Sequence, residues 1–138
     1  MKSTRRIAAP AAIALALLVV STGPAAAAAE VYVEAAATLD GKWKALGTYY
    51  RNLDGTVNDQ LCVRTYNSVA GAESYAAIKD AHTGEFYAWV FDTQATDGEP
   101  ACTPRRDFRL AGKDLVLIVE HKNASGNLDA RKTKPFTG

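Results

Sequence analysis

LCVRTYNS at residues 61–68 and EFYAWVFDT at residues 85–93 are the two segments that decide the fold. Both are rich in β-branched and aromatic side chains, which favour strands. The intervening segment, VAGAESYAAIKDAHTG at residues 69–84, contains alanines that favour helix, but its larger apolar residues form no helical stripe. We therefore expect a strand at residues 74–79, and we expect the aromatic side chains of residues 61–92 to supply most of the core.

Two cysteines, Cys62 and Cys102, are present in the chain. Two cysteines in an exported protein are typical of one intrachain disulfide. An intermolecular bridge and two unpaired thiols are the alternatives. Neither cysteine has a histidine close by in sequence, so the pair does not resemble a metal site.

The first 29 residues have the pattern of a secretory signal peptide. Lys2, Arg5 and Arg6 precede an apolar segment at residues 7–20, and a Ser-Thr-Gly-Pro turn and a run of small residues follow. The turn interrupts the apolar stretch, so a membrane span is a poor interpretation. A structural helix is the alternative.

Cleavage after Ala29 would leave residues 30–138 as a single domain, secreted to the extracellular space and not bound to membrane. Removal of residues 1–29 takes away three positive charges and changes the formal net charge from +1 to −2. A weakly acidic chain gives no electrostatic basis for nucleic-acid binding, which normally uses a basic face. We expect a monomer.

Turn signals recur about every 8–12 residues along the rest of the chain. The apolar run at residues 115–121 is typical of a central strand, whereas Arg131, Lys132 and Lys134 suit an exposed sheet edge. The sequence therefore predicts an all-β fold, a small antiparallel β-sandwich of Ig-like or jelly-roll topology with about 7–8 strands. The expected strands are residues 30–37, 42–51, 60–67, 74–79, 86–91, 107–110, 115–121 and 128–135.

Aromatic side chains occupy both faces of the expected strand at residues 86–91. One face carries a row formed by Tyr87, Trp89 and Phe91. Because only one face of a strand enters the core of a two-layer sandwich, an outward row would form an exposed patch able to stack on sugars or grip a peptide. With Trp43, these residues are the predicted ligand-binding site. The alternative is that loops or the N-terminal strand cover the row.

The proline-braced segment at residues 99–107 provides a second hypothesis. Proline restricts itself and its preceding residue to extended geometry, and a rigid loop loses little entropy on binding. Thr103, Pro104, Arg105 and Arg106 are therefore the candidate residues of a protease-inhibiting or protein-binding loop. A structural crossover between the sheets is the alternative.

Histidine carries most acid–base chemistry near neutral pH, and the chain has two histidines, His82 and His121. A Ser-His-acid triad could be composed from His121, Ser68 or Ser74, and an aspartate. No Gly-x-Ser-x-Gly elbow or glycine-rich oxyanion loop supports it, so we expect both histidines to be exposed polar residues.

Scattered acids are the remaining candidates for chemistry. Asp92, Asp97, Glu99 and Asp107 lie in or near the long loop, where acids are usually solvated, although a glycosidase pair could form in space. The acidic segment at residues 52–59 lacks the terminal glutamate of a calcium loop. The sequence thus predicts no catalytic residue, metal or cofactor. It predicts a secreted, non-catalytic binding module whose partner is an extracellular glycan, a cell-envelope component or a protein.

Overall fold

The computed structural model describes residues 30–51 and 58–138, which form two antiparallel four-stranded sheets. Their order is β1-β2-β3-β6 in the first sheet and β5-β4-β7-β8 in the second. No helix occurs in these residues, so the predicted all-β sandwich is confirmed. In chain order the strands are β1 (Glu30–Leu39), β2 (Lys42–Arg51), β3 (Gln60–Thr65), β4 (Glu73–Asp80), β5 (Phe86–Asp92), β6 (Ala101–Cys102), β7 (Asp114–Lys122) and β8 (Leu128–Thr137).

The hairpin between β1 and β2 follows from local sequence. Asp40 and Gly41 both have positive φ angles, 51° and 73°, as a two-residue hairpin turn matched to strand twist requires.

Strand β7 lies between β4 and β8, which confirms the central strand predicted at residues 115–121. Strand β8 lies at the sheet edge, as its charges indicated.

The strand prediction is wrong at residues 107–110, which are irregular. The Phe108 amide donates to the buried carboxylate of Asp59 at 2.9 Å instead of to a neighbouring strand, and Arg109 has a φ of 57°. In place of the predicted strand at residues 107–110, the structure has the short strand β6, which pairs with β3 at the disulfide. The predicted signal peptide, and most of the acidic turn at residues 52–59, lie outside the described residues.

The core is mainly aliphatic, so the prediction of an aromatic core from residues 61–92 is wrong. Tyr49 and Phe108, both outside that segment, are the large aromatic side chains that the core buries. Their rings stack with centroids 6.1 Å apart. The principal aliphatic members come from facing positions of both sheets: Val33, Leu61, Val63, Ile78, Leu115, Leu117 and Val119.

Gly47 of β2 lies in close contact with Val119 and Ala76 of the opposite sheet. A Cβ atom at this position would lie 2.4 Å from Val119 Cγ2 and 3.3 Å from Ala76 Cβ. We expect Gly47→Ala to lower the free energy of unfolding by about 1–3 kcal/mol through overpacking, measured by urea denaturation. Val119→Ala removes the clashing methyl groups, so the double variant should be more stable than the sum of the single effects. Strict additivity would contradict this packing.

Cys62 and Cys102 form the predicted disulfide, which connects residues 40 positions apart. The two cysteines are register partners in the β3–β6 ladder. The bridge therefore fixes the short strand β6 to the first sheet. Cys102 lies within the proline-braced segment at residues 99–107, so the disulfide also anchors that segment to the first sheet.

Candidate functional site

The outer face of β5 presents two large aromatic side chains to solvent. Trp89 is 55% exposed and Phe91 is 48% exposed, whereas Ala88 and Val90 at the alternate positions are buried. The predicted alternation therefore holds for this part of the strand. No segment within residues 30–51 and 58–138 covers these two rings, and their role in binding stays a prediction.

Tyr87 departs from the predicted row because β5 contains a bulge. Ile78 pairs with Ala88 while Lys79 pairs with Phe86, which leaves Tyr87 as the extra residue. A bulge redirects side chains. Tyr87 consequently packs against the core, and Phe86 is exposed instead. Inclusion of Tyr87 in an exposed row with Trp89 is therefore wrong.

Phe91 is supported from the neighbouring strand. Its ring lies 4.7 Å, centroid to centroid, from that of Tyr75, at an interplanar angle of 36°. Tyr75 is the register partner of Phe91, and burial raises the pKa of its phenol. We call Tyr75, Trp89 and Phe91 the aromatic platform.

A surface pocket of about 300 Å³ lies beside the platform, lined by Trp89, Thr103, Pro104 and Arg106. Residues of both predicted sites line this pocket: Trp89 is a predicted ligand-binding aromatic, and Thr103, Pro104 and Arg106 belong to the predicted loop. The volume falls at the lower end of the range typical of small-ligand sites, about 300–1,000 Å³.

Backbone hydrogen bonds hold the loop wall of the pocket. The Thr103 amide donates to the Leu61 carbonyl at 2.8 Å. The Thr103 carbonyl accepts from Gln60 Nε2 at 3.0 Å. Three residues further on, Arg106 and Asp59 exchange two backbone hydrogen bonds, of 2.9 and 3.0 Å. The segment is thus fixed at both ends, and the pocket is largely formed before a ligand arrives.

The Arg106 side chain crosses from this segment to β5. Its Nη2 donates to the Tyr87 carbonyl at 3.2 Å, and its Cζ lies 5.6 Å from the centroid of the Phe108 ring. Since a guanidinium has five N–H donors, most remain available to a ligand. Arg106 therefore both closes the edge of β5 and supplies a positive charge to the pocket.

Trp43, the fourth predicted ligand-binding residue, lies on the first sheet. It is 48% exposed and contacts Tyr66 edge to face, with ring centroids 5.8 Å apart. The pocket lining does not include it. The structure therefore separates Trp43 from the aromatic platform, and the two tryptophans are similar in exposure but different in surroundings.

The acids of the long loop divide into structural and exposed residues. Asp92 is buried, and its Oδ2 accepts from the Thr65 amide at 3.0 Å. Asp97 and Glu99 are exposed and line a second pocket of about 270 Å³ beside Phe91. Asp107 is exposed as well. Asp92 lines the same pocket as Asp97 and Glu99, so the structure brings three of the four acids to one place, and Asp107 is not part of that lining.

A second constellation surrounds His121, which sequence reasoning places at the surface. Its side chain is only 2% exposed, so that expectation is wrong, whereas His82 is exposed as predicted. His121 Nε2 lies 2.6 Å from Ser68 Oγ, and Nδ1 lies 2.5 Å from Asp129 Oδ1. Serine, imidazole and carboxylate thus form a continuous hydrogen-bonded chain.

A second bulge creates this contact. His121 pairs with Ala130 and Lys122 pairs with Leu128, so Asp129 is the extra residue of β8. Alternation alone would place Asp129 and His121 on opposite faces of the sheet. The sequence signal available was weak: a short loop at residues 123–127 returns the chain close to His121.

No known protein family, curated protein or solved structure matches this chain. Within residues 30–51 and 58–138, no group of three or more metal-ligating side chains occurs. The same residues contain no helix with the length and apolar character needed to cross a membrane. Fold and site geometry therefore carry the functional argument.

Proposed function

We propose that the protein is a secreted binding module that takes a glycan or related cell-envelope component in the pocket beside Trp89. The observation that carries the proposal is the position of this half-exposed indole, which forms one wall of a pocket opposite Pro104 and Arg106. A disulfide such as Cys62–Cys102 is typical of proteins that work outside the cytoplasm.

The lining suits a sugar ring in particular. The face of an indole is large, flat and apolar, with geometric preferences for what stacks on it, and it complements the C–H face of a pyranose. Arg106 supplies N–H donors for hydroxyl or carboxylate oxygens. Both requirements of a ligand site, an apolar surface and a few placed polar groups, are met.

Charge favours an acidic polymer. Arg106 places its guanidinium in the pocket lining, and the preceding residue in the chain, Arg105, is also exposed. Guanidinium forms strong, paired hydrogen bonds with carboxylate and phosphate groups. A glycan with uronic acids or a phosphate-linked wall polymer is therefore preferred to a neutral one.

An inhibitory loop at residues 99–107 has less support. A loop that enters a protease cleft needs backbone groups to pair with the enzyme, but those of Thr103 and Arg106 are already paired within the protein. Pro104 contributes no amide donor. The hydrogen bonds instead favour the alternative in which this segment closes the sandwich edge.

Depletion of the purified protein by insoluble polymers tests the proposal. Washed cell walls, cellulose and chitin serve as the panel, and soluble fragments serve as competitors. We expect retention on cell walls that fragments reverse, and Trp89→Ala should weaken it by roughly 10-fold or more, the loss of about 1.4 kcal/mol or more of binding free energy.

Trp43→Ala is the matched control, because Trp43 is similarly exposed but lies outside the pocket. It should bind as the unmodified protein does. Equal binding by Trp89→Ala, or no retention on any polymer, would contradict the proposed site.

A further inference from the structure

We propose that Ser68 is a nucleophile activated by His121 and that it accepts the acyl group of small esters with short apolar chains. The observation is the hydrogen-bonded chain from Ser68 Oγ through His121 to Asp129. This inference does not depend on the Trp89 pocket, and it departs from the sequence-based expectation of no catalytic residue.

The proton positions follow from the chemistry of the three groups. An ionised carboxylate only accepts hydrogen bonds, so the His121 Nδ1 facing Asp129 must carry a proton. In the neutral imidazole, Nε2 is then an acceptor, directed at the Ser68 hydroxyl 2.6 Å away. This is the tautomer that a general base for serine requires.

Ser68 is held in place from the preceding residues. Lys44 Nζ donates to the Asn67 carbonyl at 2.6 Å, and Asn67 Nδ2 donates to the Trp43 carbonyl at 3.0 Å. Asn67 itself has a φ of 47°, in the left-handed region that non-glycine residues rarely adopt. The Ser68 hydroxyl also donates to the Tyr66 carbonyl at 3.0 Å, so its one proton is shared between this acceptor and the closer His121 Nε2. The hydroxyl is therefore positioned before any substrate binds.

The surroundings supply the other elements of an acyl-transfer site. Val69 follows Ser68 and is 66% exposed, and Leu128 precedes Asp129 and is 50% exposed. Among the described residues, no acceptor takes a hydrogen bond from the Val69 amide. The amide that follows a nucleophile is a common oxyanion donor. The two apolar side chains favour a short apolar acyl group.

In the proposed reaction, Ser68 Oγ bonds to the ester carbonyl carbon while its proton passes to His121 Nε2. The bond from that carbon to the leaving oxygen then breaks, and the departing alkoxide takes the proton from Nε2. A water molecule, deprotonated by Nε2, next attacks the acyl-serine. As the bond between Ser68 Oγ and the acyl carbon breaks, Oγ takes the proton from Nε2 and the carboxylic acid leaves. The serine hydroxyl is restored, and water is the only reactant consumed besides the ester.

The purified protein should react with an alkyl fluorophosphonate at Ser68, with loss of fluoride, and peptide mass spectrometry would locate the label. We expect labelling roughly 100-fold faster than at the exposed Ser125, the lower range of general-base catalysis. Ser68→Ala should abolish it. Labelling at Ser125-like rates would overturn the proposal.

Asp129 acts as a positioning residue, because its carboxylate contacts His121 and not the Ser68 hydroxyl. Asp129→Asn should slow labelling at least roughly 10-fold, and Asp129→Glu, which keeps the charge, should restore part of it. Urea midpoints would show whether both variants remain folded. Equal labelling of the two folded variants would contradict a role for the carboxylate.

A thiol probe gives a readout that a purely structural histidine would not change. In Ser68→Cys, a neighbouring imidazole should favour the thiolate. Alkylation by iodoacetamide at pH 6 should then be roughly 10-fold faster than in Ser125→Cys. Similar rates for the two thiols, with an ordinary cysteine pH profile, would show that His121 serves only to brace the fold.

Discussion

The Cys62→Ala/Cys102→Ala variant is expected to lose about 4 kcal/mol of unfolding free energy. The bridge closes a loop of 40 positions, and the chain-entropy relation gives roughly this value for such a loop. A domain of this size has a total stability of about 5–15 kcal/mol. Removal of the crosslink therefore takes away a large share of it, and the urea midpoint should fall by roughly 2 M.

Chemical reduction of the unmodified protein is the control, because it opens the same loop without changing side-chain volume. It should shift the urea midpoint by a similar amount. The variant should also bind more weakly, since Thr103 in the pocket wall directly follows Cys102. A loss of unfolding free energy below about 1 kcal/mol in both experiments would contradict the claim that the disulfide stabilises the fold by closing this loop and fixing β6.

Asp59→Ala is expected to lower the unfolding free energy by about 2–6 kcal/mol, since two buried donors lose their acceptor at about 1–3 kcal/mol each. The Tyr49 hydroxyl donates to Asp59 Oδ1 at 2.9 Å, and the Phe108 amide donates to Oδ2 at 2.9 Å. Burial, and then the hydrogen bond to Asp59, raise the pKa of Tyr49, so its hydroxyl is protonated and donates at neutral pH. Equilibrium urea denaturation measures the effect.

Tyr49→Phe is the matched comparison. It removes one donor and leaves the Phe108 amide paired, so it should cost only about 1 kcal/mol. With Phe at position 49, the further change Asp59→Ala leaves one unpaired donor instead of two. The double variant should therefore be more stable than additivity predicts. Independent effects would show that the hydroxyl and carboxylate do not interact as described.

Regular alternation explains why most of the fold could be predicted. In β5, Ala88 and Val90 enter the core while Trp89 and Phe91 face outward, because the sheet has one buried face. The prediction of an aromatic core was wrong for the same reason, because the aromatic side chains of a strand can lie on its solvent-facing side. Tyr49 and Phe108 fill the core from segments that gave no comparable signal.

Bulges and long-range hydrogen bonds explain what could not be predicted. Tyr87 and Asp129 are each the extra residue of a bulge, and alternation in sequence does not reveal a bulge. Residues 107–110 resemble a strand, but the carboxylate of Asp59, 49 positions from Phe108, takes the amide. His121 approaches Ser68 across 53 positions. Each feature depends on tertiary contacts instead of local pattern.

The most direct test of the proposed binding site uses Trp43→Phe, which leaves Trp89 as the sole tryptophan of the chain. The titrant is soluble fragments of the wall polymer that retains the protein. Binding should shift Trp89 emission to the blue in a saturable way and protect the indole from acrylamide quenching, because stacking removes it from water. Trp89→Phe, which retains Trp43, should show neither change. Binding that leaves Trp89 emission and quenching unaltered, or that alters Trp43 instead, would contradict the account.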